Sequence, residues 1–230
     1  MEPNEIHLYL DINEKLYTRN PQETTLGKKI FYSSIQMISA LGFEHVTFKK
    51  LAMEISSTEA SIYRYFDNKH KLLIYLMSWY WNWLSYRLTI ETHRVKDPRE
   101  KLDIAIEIFC HTIDPIPQAR TLVDIPALYQ IVINESPKAY LTKEVNEDNK
   151  EGSFLDYKRF CRKVASYIKE FSPAYPYPTA LISTAVEAAH HQKYFSEHLP
   201  SLTEVSGGSK EEIARFLKLM IFTSIDGCEG

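Results

Sequence analysis

Two short segments fix the class of this chain before anything else is considered. Asn20-Pro21-Gln22-Glu23 supplies an N-cap, a proline at the first helical position and a glutamate two residues further on, and Asp97-Pro98-Arg99-Glu100 repeats the arrangement. Such segments open helices because the cap oxygen satisfies an orphan N–H where proline has none to offer. Ser209-Lys210-Glu211-Glu212 gives a third start without proline, and Ser136-Pro137, Ser153 and Pro176–Thr179 offer others. Apolar residues at helical spacing follow these starts: Leu72, Leu76, Tyr80 and Trp83 run on to Arg87, and Leu102, Ile106 and Phe109 form a second stripe. Ile213, Phe216, Leu217 and Met220 form a third, and no Asn-Gly or Asp-Gly turn joins alternating strands. The chain therefore reads as all-α. The expected helices cover approximately 21–41, 48–54, 57–65, 69–94, 98–112, 122–135, 137–149, 153–171, 178–198 and 210–225, with ends free to slip by a few residues. Pro115, Pro117 and Pro126 break the pattern over Asp114–Pro126.

Composition narrows the class further. With 230 residues, 44% of them hydrophobic, the chain can bury a core of one or two domains. No apolar run reaches the roughly 18–20 residues of a membrane span, and the acidic start MEPNEIHLYLDINEK does not read as a secretory signal. Cys110, Cys161 and Cys228 are too scattered for a metal site and read as reduced thiols, so the expected location is the cytoplasm. The net charge of −3 hides an asymmetry: residues 24–75 carry seven basic and four acidic side chains, a local +3 against −6 elsewhere. A basic block on an acidic body suits docking of one end onto phosphate.

The stretch Thr47–Leu73, TFKKLAMEISSTEASIYRYFDNKHKLL, carries the most information. Thr47 can cap a short helix that buries Phe48, Leu51, Ala52 and Ile55, and a Ser56-Ser57 turn leads to a second that buries Ala60 and Ile62 with Tyr63 or Phe66. Two short helices joined by a tight turn and packed on a longer one are the parts of a helix-turn-helix, whose second helix enters the major groove. Its free face offers Thr58, Glu59, Ser61, Arg64 and Tyr65.

Gly42, Thr47, Leu51-Ala52, Ile62-Tyr63-x-Tyr65-Phe66 and Asp67-Asn68-Lys69 ahead of Leu72-Leu73 together resemble the DNA-binding domain of the TetR family of bacterial transcription regulators, over residues 24–73. The resemblance implies an N-terminal three-helix domain joined by a long helix to a helical ligand-binding and dimerisation domain. The expected division is an extension over 1–19, a DNA-binding domain over 20–75 and the second domain over 76–230. It further implies phosphate contacts from Thr47, Lys69 and the hydroxyls of Tyr63 and Tyr65, whose rings brace the domain, with Thr58, Ser61 and Arg64 near base edges. Lys28 and Lys49 join the expected DNA-binding set. A homodimer through helices near 153–171 and 178–198 would read a pseudo-palindromic operator in double-stranded DNA.

The chain departs from the family in the turn. Ser56 stands where glycine is usual, and a left-handed residue other than glycine costs on the order of 1 kcal/mol. Glu59 would aim a carboxylate at phosphate unless it folds back onto the Ser56 N–H in a Ser56-x-x-Glu59 capping box, the reading favoured here.

No motif names a ligand. Dense aromatics suggest an apolar or aromatic effector, with Trp83, Phe109, Tyr129, Phe160 and Tyr194 as expected pocket residues. Glu187 and His190-His191 share a helix face, yet carboxylate-bridged metal sites need a second such motif and none is found. No cofactor, metal or catalytic group is expected, and the chain reads as a regulator rather than an enzyme, with repression the sense that the family resemblance implies. The competing reading is an interaction protein that keeps the helix-turn-helix but no longer binds an operator.

Overall fold

The structure, a computed structural model, describes residues 8–116 and 121–228. Among the described residues there are helices and turns and no strand. Ten α-helices run in order: α1 Thr25–Leu41, α2 Phe48–Glu54, α3 Glu59–Tyr63, α4 Lys69–Glu91, α5 Pro98–Cys110, α6 Ile125–Tyr140, α7 Val145–Lys150, α8 Leu155–Phe171, α9 Pro178–His198 and α10 Lys210–Asp226. None of the described helices is long and apolar enough to cross a membrane. The chain condenses into two units, Met1–Asn82 with Thr121–Tyr157, and Trp83–Arg120 with Lys158–Gly230. Both are discontinuous in sequence. Met1–His7 of the expected extension and Pro117 of the proline-rich stretch lie outside the described residues.

The first unit is organised around aromatic rings. Tyr75 of α4 is fully buried and meets Tyr17, Phe31 and Phe66 edge-on at centroid distances of 5.9, 5.9 and 5.3 Å. Burial drives its phenol well above the ordinary range, so it stays neutral and packs as a ring. Residues 8–24 form an arm that belongs to this core, with Leu10, Ile12 and Leu16 buried. Its backbone is tied down by side chains: Leu10 N–H donates to Gln22 Oε1 (3.0 Å) while Gln22 Nε2 donates to Leu10 O (2.7 Å). Asn13 Nδ2 reaches Glu151 O at 2.9 Å, and Thr18 N–H reaches Tyr65 O at 2.9 Å.

Two helix starts differ from expectation. Asn20 caps a single 3-10 turn, Pro21–Glu23, and Thr24 then caps α1 by accepting from Gly27 N–H. Gly27 is required there, because a Cβ would lie 2.4 Å from Pro21 O. At Ser136-Pro137 no new helix begins: α6 runs from Ile125 to Tyr140 through Pro137. Proline loses only one hydrogen bond this close to a helix end, and the buried face of α6 (Leu128, Ile131, Val132, Ala139) continues across it.

The second unit packs α5, α9 and α10 together around Leu102, Ile106, Ile182, Val186, Leu217 and Ile221. Lys218 of α10 bridges Asp103 and Glu107 of α5 at 2.7 Å each. Arg87 is buried, held by Glu91 at 2.8 Å and by Ile113 O at 3.1 Å, with its guanidinium 5.2 Å from the Trp83 ring centre. The α5 C-cap, His111, is left-handed (φ 58) and stacks on Trp83. His190 of α9 is buried, and desolvation pushes its pKa from 6.5 down to about 4, against the opposing pull of Glu187.

Two outcomes follow from these cores. Leu16→Ala, in the arm, should lower unfolding free energy by about 2–5 kcal/mol in urea titrations, as for any buried leucine; a loss near zero would mean the arm is not core. Above pH 6.5 His190 is neutral in both folded and unfolded chains, whereas between 6.5 and about 4 only the unfolded chain takes up the proton. Stability should therefore fall as pH drops through that window, and His190→Gln should flatten the dependence of the urea midpoint on pH.

Candidate nucleic-acid interface

Helices α2 and α3 pack against each other, and α1 packs on α2. Thr47 caps α2 by accepting from Lys50 N–H (3.2 Å), and Thr58 caps α3 by accepting from Ser61 N–H (3.2 Å). The interior faces are Phe48, Leu51, Ala52 and Ile62. Tyr63 is half exposed and meets Phe48 edge-on at 5.0 Å, which braces one helix on the other.

The turn between the helices is an unusual sequence in a common geometry. Ser56 N–H donates to Met53 O (3.2 Å) and Ser57 N–H to Ala52 O (2.8 Å), the paired bonds of a Schellman end. That end needs a left-handed residue, and Ser56 supplies it at φ 52. The expected capping box is overturned by the same bonds: the Ser56 N–H is spent on Met53, and the cap of α3 is Thr58, not Ser56. Glu59 is exposed in the first turn of α3, where the helix dipole favours an anion.

The expected DNA-binding residues fall into two groups. Thr47, Lys49, Thr58, Tyr63 and Arg64 are exposed on α2, α3 and their ends, with Ser61 half-buried beside Thr58 (Oγ to Oγ1, 2.8 Å). Arg64 is the C-cap residue of α3. Of the others, Tyr65 and Lys69 make contacts within the protein, and Lys28 is half-buried. Tyr65 is 2% exposed and its hydroxyl lies 2.7 Å from Thr24 Oγ1, so it braces α3 against the start of α1 and presents no hydroxyl at the surface. Lys69 points its ammonium at the carbonyls of Phe43, Glu44 and Val46 (3.2, 3.4 and 3.5 Å), above the Phe43 ring. Lys28 is half-buried beside Leu8, Phe31, Tyr32 and Trp79 at a small cavity of about 90 Å³.

Sequence reasoning missed the supports on the far side of this domain. Glu135 of α6 accepts from Phe43 N–H (2.9 Å), and Gln36 of α1 donates to Asp124 at the start of α6 (2.9 Å). No local signal marks these pairs, which are 92 and 88 residues apart.

The expected pocket residues are not gathered into one lining. Trp83, Phe109 and Phe160 are buried in the second unit, where Phe109 and Phe160 meet edge-on at 6.4 Å. Tyr129 belongs to the first unit, stacked on Tyr80, while Tyr194 is 39% exposed on α9 and lies against His198. An open groove of about 710 Å³ in the second unit is lined instead by Ile90, Ile104, Ile113 and Ile116 together with Glu91, His93 and Arg94. Among the described residues no group of three or more His, Cys, Asp or Glu side chains is placed to hold a metal ion.

A family profile described as bacterial regulatory proteins, tetR family, matches residues 31–76, which span the body of α1, the two short helices and the start of α4. No curated protein sequence matches the chain. Its fold is shared with a fatty acid degradation regulator, FadR, from Bacillus halodurans, at 15% identity and a TM-score of 0.60, covering 84% of this chain and 93% of that one. It is shared too with AibR in complex with isovaleryl coenzyme A and operator DNA (16% identity, TM-score 0.55, 85% and 97% covered). The superantigen PfiT has the same fold at 15% identity and a TM-score of 0.57, covering 88% of this chain and 97% of that one. The described residues are thus all helix and turn, in a fold shared with these proteins, and residues 31–76 match the tetR family profile.

Ser56→Gly relieves the left-handed serine without touching an exposed contact. It should raise unfolding free energy by up to about 1 kcal/mol in urea titrations; destabilisation would mean that the serine side chain contributes something that the backbone strain conceals.

Proposed function

We propose that the protein is a dimeric DNA-binding transcription regulator that reads a pseudo-palindromic operator and releases it when a small, largely apolar ligand binds. The observation that carries the reading is the exposed end of α3. Arg64 closes a short helix whose cap residue, Thr58, and outer ring, Tyr63, are accessible, and Lys49 on α2 is exposed as well. Such a helix fits the major groove, with arginine suited to a bidentate contact on guanine, and the N–H groups at the start of α2 suited to phosphate. The fold shared with AibR, solved with operator DNA, supports the same reading. Repression is the working sense of regulation.

Dimerisation finds its best support on α9 and α10 rather than on the expected pair of α8 and α9. The exposed residues of α8 include Lys158, Arg159, Arg162, Lys163 and Lys169, a charged face. Its one large exposed apolar residue is Leu155 at the first turn, whereas Tyr194 on α9, Leu202 in the turn after it, and Phe216 and Leu219 on α10 are all exposed. A two-fold pairing that buries them removes an apolar patch from water. For the ligand, the isoleucine-lined groove with Arg94 and His93 at its polar side suits an amphiphile with an anionic end better than the dispersed aromatic set does. Release requires only that the ligand prefer a state whose recognition helices are wrongly spaced, and linkage makes the coupling reciprocal.

A second reading has an observation of its own. Glu59 is exposed at the start of α3, where a carboxylate repels phosphate, and the fold also serves a protein named as a superantigen. On that reading the helix-turn-helix is an interaction module without an operator.

Selection of bound fragments from genomic DNA of the source organism, using purified protein, separates the two. A regulator should recover one palindromic site, with affinity falling linearly in log–log against salt. Arg64→Ala should then cost about 1–3 kcal/mol, concentrated at one base position, whereas an even loss over all sequences assigns Arg64 to phosphate. Absence of salt-dependent binding to any fragment would leave the interaction module as the reading.

A further inference from the structure

The turn that leads into α2 is held by side chains from outside it. Gly42, at φ 80, swings the chain out of α1, and the next N–H, that of Phe43, is buried. Its acceptor is Glu135 Oε1 at 2.9 Å. Glu135 is itself buried within α6, with its other oxygen 2.7 Å from Lys138 Nζ, and Lys138 also reaches Glu44 at 3.5 Å. From α4, Lys69 directs its ammonium at three carbonyls of the same turn and sits 4.4 Å above the Phe43 ring centre. Thr47, the cap of α2, follows immediately.

A buried carboxylate is expensive unless paired and hydrogen-bonded, and an apolar side chain would let α6 pack on α1 without that cost. Glu135 therefore contributes something other than packing. What it contacts is a backbone N–H four residues ahead of the α2 cap, at the point that sets where α2 leaves α1. α3, packed on α2 and joined to it by the Phe48–Tyr63 contact, follows.

We propose that Glu135 is a positioning residue for DNA recognition, fixing through the Phe43 N–H the angle at which α2 and α3 are presented. The proposal rests on the DNA-binding reading above. It makes the state of α6 readable at the recognition helix: a shift of α6 that withdraws the acceptor frees the turn.

The test compares Glu135→Ala, which removes the acceptor, with Glu135→Gln, which keeps an amide oxygen for the Phe43 N–H. Binding is measured to the fragment selected by the wild-type protein and to an unrelated duplex of equal length, at a temperature where all variants are folded by circular dichroism. Glu135→Ala should weaken binding to the selected fragment tenfold or more and leave the unrelated duplex within twofold, with Glu135→Gln recovering most of the difference. Equal weakening on both duplexes, or none on either, overturns the proposal, since a purely structural residue acts through the folded fraction alone. If the wild-type protein does not distinguish the duplexes, the DNA-binding reading fails first, and amide hydrogen exchange decides the local claim. Faster exchange in Glu135→Ala confined to Phe43–Glu54 supports a positioning role, and uniform or unchanged exchange overturns it.

Discussion

The ring cluster at Tyr75 is the constraint on which the first unit rests. Tyr17 from the arm, Phe31 from α1 and Phe66 from the segment after α3 all close on one buried phenol ring of α4. Edge-on aromatic contacts are orientation-dependent, so three of them around one ring fix the angles of the three segments as well as their distance. Tyr65 then adds a hydrogen bond from the same neighbourhood to Thr24 at the α1 cap. The short helices need this. α2 and α3 are seven and five residues long, far below the length at which a helix persists in water without tertiary support.

Rigidity behind α3 and exposure in front of it are two sides of one arrangement. The residues turned inward (Ile62, Tyr65, Phe66) are buried to within a few per cent, while Thr58, Tyr63 and Arg64 stay accessible. A reading head works best when its supporting shell is locked, because a loosely held side chain loses affinity to its own disorder. Tyr65 and Lys69 belong to the shell, through Thr24 and through the carbonyl of Phe43.

Much of this was legible from local chemistry. The caps at Thr47, Ser209 and Asp97, the stripes on α4 and α10, and the left-handed demand on Ser56 all follow from residues within a turn or two of each other. The capping box at Ser56 misled because two serines and a threonine compete for one helix start, and the Schellman bonds had already taken the Ser56 N–H. Ser136-Pro137 misled in a related way, since a proline near a helix end looks the same in sequence as a proline at a helix start. Aromatic density does not say which ring faces a void: Tyr129 and Tyr194 lie on different elements with different exposures. Long-range pairs such as Phe43–Glu135 leave no periodic trace at all.

The discontinuity of the first unit bears on how such a protein can be recombined. Met1–Asn82 depends on Thr121–Tyr157 for the acceptor of the Phe43 N–H, for the apolar cover of α1 and for the anchor of Asn13 at Glu151. A graft that moves only the N-terminal stretch into a relative carries half of a folding unit and brings it against a foreign α6. The exchangeable module is two stretches of chain, so the crossover points that preserve it are three: near residues 82, 121 and 157. The presentation of α2 and α3 and the sequence of α6 are on this account inherited together.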